Sequence, residues 1–416
     1  MSTPFDPGEL TVAICARNAV ATINRAVASA VREGARVLLL DDRSEDGTMS
    51  RVADFFGDRV ELAVTPEHRT LGFARACALE RVRTPWLMWL DADDALLPGR
   101  AARLHAIAVE NGYDAVWDAA ELVVRDTARP LPMPDFMLRK NGAVRLFERN
   151  WLPGPAWPLL RTDFARDIGY DPLLPAADDL DFNLRACVRQ GRLGFCEMLG
   201  YRQFAYPDSL SRDLTHQRYW VGEVLRRHSY ERVRSLWRAA KFSDAVSEWG
   251  LISMAIFRED FAFAASRLNV LDAIKPATHA VLEPHGPWPV PEDWRRSFLH
   301  GTLALLGVEG GNPIGALTQA EGLFATPEGA NNLGVAWRDC GNEQAAIACF
   351  ERALSRFPGY LDASLNLHDS QTHRTTTLPL RRIDYRCEYH PPRGGLTVRQ
   401  AINKDQADAP TPHRGI

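Results

Sequence analysis

Long apolar runs are missing from this sequence, and so is any paired-cysteine pattern. No stretch approaches the roughly 20 consecutive apolar residues that cross a bilayer, so no transmembrane segment is expected. The opening MSTPFDPGEL has neither the basic nor the apolar region of a secretory leader. Seven cysteines lie scattered at 15, 77, 187, 196, 340, 349 and 387, with no Cys-x-x-Cys among them. An odd, dispersed set points to reduced, mostly buried thiols rather than a disulfide framework or a zinc site. An excess of one charge is also missing: the formal net charge is -4, with acids and bases intermingled. That balance gives no dominant nucleic-acid surface, so no nucleic-acid partner is expected. These absences together predict a cytoplasmic protein, with peripheral membrane contact left open.

What is present is an alternation. In a chain of 416 residues, long enough for two or three domains, the first 125 or so alternate short apolar runs with helical patterns. Strands are predicted at Thr11 to Cys15, Arg36 to Asp41, Val60 to Val64, Trp86 to Leu90 and Asp114 to Val124. Helices are predicted at Ala21 to Arg32, from a Ser44 cap to about Phe56, and at Leu71 to Arg81. Strands apolar on both faces and separated by helices imply an α/β fold with a mostly parallel sheet covered on both sides. Ligands bind such sheets beyond the carboxyl ends of the strands. Two of these strands end on acids there: Asp41 and Asp42 after RVLLL, and Asp91, Asp93 and Asp94 after WLMWL. The proline-rich stretch from Thr127 to Trp157 reads as irregular chain draped over the sheet edge. A helix is expected over Asp181 to Arg189, and extended chain over Leu199 to Ser211.

Three acidic clusters carry the chemistry. In Asp91-Ala92-Asp93, alternation along an extended segment would turn both carboxylates to one side, where hard oxygens can hold a divalent cation with a pyrophosphate. The competing reading is a polar strand end leading into a turn. In Asp41-Asp42-Arg43-Ser44, an aspartate can accept a hydrogen bond from a uracil or guanine ring N–H, and a capping turn is compatible with that use. In Ala177-Asp178-Asp179-Leu180-Asp181, the acids either cap a helix and complement its dipole or supply a crowded carboxylate whose raised pKa suits a general base.

TVAICARNAVATINRAVASAV followed by VLLLDDRSEDGT resembles the start of glycosyltransferase family 2, in the fold called GT-A. Leu71-Gly72-Phe73-Ala74-Arg75-Ala76 and Trp89-Leu90-Asp91-Ala92-Asp93-Asp94 resemble its next block and its metal motif. Gly169-Tyr170-Asp171 with Ala177-Asp178-Asp179-Leu180-Asp181-Phe182 and Arg185 resembles its acidic acceptor-side motif, and Tyr201-Arg202-Gln203 with Ser209-Leu210-Ser211 its closing segment. The resemblance spans about residues 10 to 212. It implies a nucleotide diphosphate sugar donor, a UDP-sugar first and a GDP- or dTDP-sugar as alternatives, bound with Mn²⁺ or Mg²⁺. Asp42, Asp41 and Arg17 would serve the nucleotide, Arg75 the diphosphate or a neighbouring acid, Asp91 the ribose or a metal-bound water, and Asp93 the metal. Asp179 would be the base of an inverting displacement, with Asp178 the competing assignment and an acceptor contact. Two departures stand out: Phe204 replaces a frequent histidine, for which His216 is a candidate substitute, and aspartate stands at 178 where glutamate is usual. On the acceptor side, Leu152 to Leu160 offers Trp157, and less strongly Trp151, either for stacking on a sugar or for local packing.

The second half is helical. Leu214 to Ile274 is amphipathic, with Trp220, Trp237 and Trp249 as packing anchors, and a proline-rich break follows at 284 to 291. Ala330 to Trp337 with Gly341, Ala346, Phe350, Ala353 and Pro358 matches a tetratricopeptide pattern. Gly311-Asn312 with Ala316, Ala320 and Leu323 resembles a degenerate copy. The expected domains are therefore 1–212 catalytic, 213–291 helical accessory, 292–367 tetratricopeptide-like, and 368–416 a basic, Thr/Pro-rich tail. The repeats would serve a homodimer, a protein partner or a peptide acceptor, and small-molecule and glycan acceptors stay open. Arg381, Arg382, Arg386 and Arg393 of the tail either fold over the diphosphate or stay solvated. The competing functions are a degraded transferase acting as a repeat-based scaffold, and a sugar nucleotidyltransferase. Ala16-Arg17-Asn18-Ala19 disfavours the latter because it lacks the glycines of a phosphate loop.

Overall fold

A computed structural model describes residues 5–124, 127–139, 141–154, 157–206, 214–274, 291–368 and Thr376. The four tail arginines, residues 284 to 290 of the break and Ser209-Leu210-Ser211 fall outside them. The chain groups into two compact units: Met1–Leu210 with His216–Arg258, and Ser211–Thr215 with Glu259–Ile416.

A nine-stranded sheet organises the first unit. Its strands are β1 (Leu10–Ala16), β2 (Arg36–Asp41), β3 (Val60–Val64), β4 (Trp86–Asp91), β5 (Ala95–Leu96), β6 (Ala115–Val124), β7 (Thr127–Leu131), β8 (Leu159–Arg161) and β9 (Leu193–Phe204). Their spatial order is β3-β2-β1-β4-β8-β6-β9-β5, with β7 on β6. β1 to β4 run parallel, β6 runs parallel to β9, and β5, β7 and β8 run antiparallel to their neighbours, which makes the sheet mixed. The central strands are apolar on both faces because helices cover both: Val12, Ala13, Ile14, Leu87 and Met88 are fully buried.

The covering helices are α1 (Ile23–Arg32), α2 (Thr48–Phe56), α3 (Leu71–Arg81), α4 (Arg100–Asn111), the short α5 (Asp135–Leu138), α6 (Thr162–Ile168) and α7 (Asp178–Val188). On α1, Ile23, Ala26, Val27 and Ala30 recur at helical spacing and form its buried face. Ser44 does not cap α2: that helix starts four residues later, after Gly47 in left-handed backbone, with no side-chain cap. Ser44 instead accepts from the Asn18 N–H at 2.8 Å and donates its own N–H to Asp41 Oδ2 at 2.8 Å. It thereby ties the loop after β1 to the loop after β2.

The stretch after Thr127 is more ordered than a drape. It pairs as β7, turns through α5 and a 3₁₀ segment at Gly142–Phe147, and buries Met133, Met137, Leu146, Phe147 and Trp151. Arg145 anchors it, paired with Glu148 at 2.6 Å and lying 4.3 Å from the Phe136 ring and 5.7 Å from that of Trp237. A buried cation is tolerated there because a carboxylate and aromatic faces replace water. Trp237 belongs to α9 of the three helices α8 (Leu214–Arg226), α9 (Tyr230–Ala239) and α10 (Asp244–Phe257). Residues 216 to 258 of this group belong to the first unit.

The second unit holds α11 (Phe261–Asp272), α12 (Glu292–Leu305), α13 (Pro313–Leu323), α14 (Pro327–Asp339), α15 (Glu343–Arg356) and α16 (Leu361–His368). Small residues let neighbours approach closely: a Cβ on Gly334 would lie 2.5 Å from the Phe350 ring, and one on Gly301 2.5 Å from Leu317. The core gathers Trp294, Phe298, Leu317, Phe350 and Phe357.

One contact in the first unit is closer still. A Cβ on Gly72 of α3 would fall 2.1 Å from the carbonyl oxygen of Asp171. Gly72→Ala should therefore destabilise the first unit by about 1–3 kcal/mol, read as a lower urea midpoint. An unchanged midpoint would mean that α3 can draw back from the Asp171 segment at little cost.

Candidate active site

Strand register sets up the site. Asp91 pairs with Cys15, Ala16 with Asp41, and Asp41 with Val64. Four adjacent parallel strands thus end in one row, and Arg17, Asp42, Thr65 and the Asp91–Asp93 segment emerge side by side at the carboxyl edge.

At one end of the row, Asp41 and Asp42 are both buried but differ in their partners. Asp41 Oδ2 accepts from the Ser44 N–H, while Asp41 Oδ1 is buried without a partner. Asp42 is engaged through both oxygens: Oδ1 accepts from the Thr65 hydroxyl at 2.8 Å, and Oδ2 lies 2.5 Å from His68 Nδ1. Arg17 NH1 in turn bonds His68 Nε2. Nδ1–H donating to Asp42 while Nε2 accepts from Arg17 is the tautomer that serves both contacts. Sequence reasoning missed Thr65 and His68, although both sit just beyond the end of β3, on the edge that had marked the aspartates.

In the middle of the row, β4 ends at Asp91 and the chain turns at once, with the Asp94 N–H donating to the Asp91 carbonyl at 3.1 Å. The extended geometry expected for Asp91-Ala92-Asp93 is therefore corrected to a turn. Asp94, unassigned from sequence, closes that turn: it is buried and accepts from the Tyr201 hydroxyl at 3.0 Å and the Phe204 N–H at 2.9 Å. Burial pushes its carboxyl well above the usual range. Asp93 is half-buried; burial, with the charge of Asp91 adding and Arg25 opposing, raises its carboxyl to about 6. Arg25, another residue not foreseen, donates to the Asp93 carbonyl and, at 2.6 Å, to the Tyr206 hydroxyl. Its guanidinium lies 3.6 Å from the centre of the Phe204 ring. His216 sits on α8 with its ring 6.2 Å from that of Trp220.

At the far end, α7 begins at Asp178, one residue after Ala177 at φ 58°. A left-handed alanine is strained, and here it delivers the acid pair at the start of the helix. Asp178 is buried and ion-paired to Arg75 NH1, and Arg75 NH2 reaches Asp91 Oδ1 at 3.1 Å. Arg75 is buried as well, with its guanidinium 3.9 Å from the centre of the Trp157 ring. Burial opposes its charge, but Asp178 and then Asp91 outweigh that effect and keep it firmly protonated. Asp179, half-buried, is pushed up to about 7 by burial and by Asp178, against the pull of Arg75.

Trp157 is 5% exposed, a wall of the site more than an open platform. Its carbonyl accepts from Arg100 at 2.6 Å, and Arg100 is locked in a bidentate pair with Asp118 at 2.9 and 2.7 Å. Burial raises the Asp91 carboxyl above its ordinary range; Arg75 and then the nearby Trp157 indole, which lacks full hydrogen-bond geometry, oppose that rise. Trp151 is buried against Phe136.

Residues 11–158 match the family model for glycosyl transferase family 2. The chain carries a family 2 glycosyltransferase domain. Two Rhizobium meliloti relatives agree: succinoglycan biosynthesis protein ExoU is 32% identical over 227 residues, covering 50% of this chain and 66% of the relative. The corresponding figures for succinoglycan biosynthesis protein ExoO are 33% over 231 residues, 50% and 63%. The chain thus spans just under two thirds of either relative. Among solved structures, residues 1–349 of S. aureus TarS with UDP-GlcNAc align over 89% of this chain and 95% of that one, at TM-score 0.46 and 14% identity. The family match takes in Asp41, Asp42, Arg75, Asp91, Asp93 and Trp157, while Asp178 and Asp179 lie beyond it.

Among the described residues, no cluster of three or more His, Cys, Asp or Glu side chains is arranged to hold a metal ion. At the Asp91–Asp93 turn, Asp93 and Asp91 offer hard oxygens, while Asp94 is committed to Tyr201 and Phe204. That donor set fits a divalent cation only when a ligand such as a diphosphate supplies further oxygens.

Removing the shared cation should be costly. Arg75→Ala leaves Asp178 and Asp91 unpaired and is expected to lower stability by roughly 3–5 kcal/mol. Arg75→Lys should recover only part of that, because one ammonium cannot reproduce a two-pronged guanidinium contact. Chemical denaturation of the three proteins at one pH checks both expectations.

Proposed function

We propose that this chain transfers a sugar from a nucleotide diphosphate sugar, a UDP-sugar first, to a glycan acceptor. The reaction is a single displacement that inverts the anomeric centre. What carries the reading is the alignment, along one sheet edge, of a buried unpartnered Asp41 oxygen, the Asp91–Asp93 turn and the acid pair opening α7. The Asp41 oxygen is an acceptor with nothing to accept from, and an imide N–H of a nucleobase satisfies it. Asp42, engaged by Thr65 and His68, holds that corner in shape. A glycan acceptor is supported by the two relatives, both named for succinoglycan biosynthesis.

Asp179 is the base. Its neighbour Asp178 is tied up by Arg75, so Asp179 is the acid of the pair left to take a proton. As the acceptor hydroxyl attacks the anomeric carbon, its proton passes to Asp179, the bond from that carbon to the diphosphate oxygen breaks, and the nucleoside diphosphate departs. Arg75 holds Asp178 and Asp91 at fixed spacing and keeps their charges from repelling the donor. Asp93 and Asp91 would hold Mn²⁺ or Mg²⁺ together with diphosphate oxygens, and such an ion neutralises charge on the leaving group. Trp157 lines the acceptor side. The reaction is read as cytoplasmic; no helix among the described residues is long and apolar enough to cross a membrane.

Two tests follow. With Asp179 near 7, kcat should climb as pH rises through about 7, and Asp179→Asn should lose that limb together with roughly 10²–10⁴-fold in rate. Stability should move the opposite way. A carboxyl raised in the folded state favours the fold fully below its unfolded value near 3.8 and loses that benefit as pH climbs through about 7. Asp179→Asn should therefore melt above the parent protein at pH 8 and level with it near pH 4.

The second test is a thermal-shift series with UDP-, GDP- and dTDP-sugars, each with and without Mn²⁺. UDP-sugars should give the largest shift, and Asp93→Ala should remove the increment due to Mn²⁺. If Asp93→Ala leaves binding and turnover intact, the metal assignment is wrong.

A further inference from the structure

Beyond the acids that face the site, α7 carries a third one that does not. Asp181 is completely buried. Two arginines reach it from different directions: Arg185, one turn further along α7, at 2.6 Å, and Arg227 NH1 at 3.0 Å. The same NH1 of Arg227 also meets Asp171 Oδ2 at 2.8 Å. Arg227 lies in the turn between α8 and α9, where its N–H donates to the Val224 carbonyl at 3.2 Å. It is therefore held by helices outside the matched region 11–158.

The segment that Arg227 grips is the spacer between α3 and α7. The Asp171 carbonyl lies against Gly72, the Gly72 N–H donates to the Leu174 carbonyl at 3.0 Å, and Tyr170 stacks on Phe182 with ring centres 5.0 Å apart. The Arg75–Asp178 pair is made across the gap that this spacer sets. From the outer side, Arg227 ties the spacer to Asp181, and so to the turn of α7 that carries Asp178 and Asp179.

We propose that Arg227 is a positioning residue for the transfer reaction: by clamping the Asp171 segment to Asp181, it sets where the Asp179 carboxylate sits relative to the donor. Helices α8 and α9 are then part of the catalytic apparatus. The inference rests on the functional reading above. A displacement of this kind leaves donor binding at the sheet edge intact and slows the chemical step.

The test is hydrolysis of the UDP-sugar that gives the largest thermal shift, followed by release of UDP, in the full chain and in Arg227→Ala, Arg227→Gln, Arg227→Lys and Asp179→Asn. Arg227→Ala should lower kcat about tenfold or more with donor KM changed less than twofold, as expected for misplacing a reacting group without touching substrate. Arg227→Lys should restore most of the rate, because both contacts are made by a single nitrogen that an ammonium can replace. If Arg227→Ala does not fold, Arg227→Gln takes its place, with a fall in kcat at constant KM expected. The proposal is overturned by an unchanged kcat, by kcat and KM worsening together, or by a lysine variant no better than alanine in a protein that melts normally. If the parent protein does not hydrolyse the donor, or Asp179→Asn retains the full rate, the functional reading itself fails and this inference falls with it. A slow Asp179→Asn beside a fully active Arg227→Ala sinks the positioning role alone.

Discussion

A single guanidinium, that of Arg75, is bonded to two carboxylates from different parts of the first unit. Asp91 ends a central strand and Asp178 opens a helix that lies beyond the family match. Buried charges are costly unless compensated, and this cation compensates the buried Asp178 and the half-buried Asp91 together. Trp157 covers the face of the guanidinium and shields it from water. Much of the surrounding structure serves that junction: Gly72 lets α3 approach, the Arg100–Asp118 pair holds the backbone of Trp157, and Arg227 grips the spacer from outside.

The acids along the sheet edge divide by how they are partnered. Asp42, Asp94, Asp178 and Asp181 each have strong protein partners and work as struts. Asp41 keeps one oxygen unsatisfied, and Asp93 and Asp179 keep carboxyls whose ionisation is resisted by burial. Groups of this second kind gain most from an incoming ligand, which can supply the missing donor, cation or proton. Neighbouring residues of identical type thus take different roles, decided by which of them the fold has already satisfied.

Most of the sheet was legible in the sequence because its central strands are buried on both faces and β2 and β4 end abruptly in acids; β2 and β3 fall on their predicted limits. The parts that were not legible depend on long-range contacts. Ser44 looks like a cap until Asn18, 26 residues away, claims its hydroxyl. The stretch after Thr127 looks irregular because prolines hide a core organised around Arg145, whose aromatic neighbour Trp237 lies far along the chain. At the site, the aspartates stood out by their place at strand ends. Their division into struts and available groups did not, since it depends on Arg75, His68 and Tyr201 arriving from elsewhere.

Ala177 has a consequence for how this protein can change. Its left-handed backbone costs the fold of the order of 1–2 kcal/mol that a glycine would largely avoid, yet alanine stands there, directly before the acid pair. A search for more heat-resistant variants would favour glycine at this position, because the strain would vanish. The same replacement would let the start of α7 sample more conformations than one. Robustness and precision therefore pull in opposite directions at this residue, and the alanine marks where this chain has settled between them.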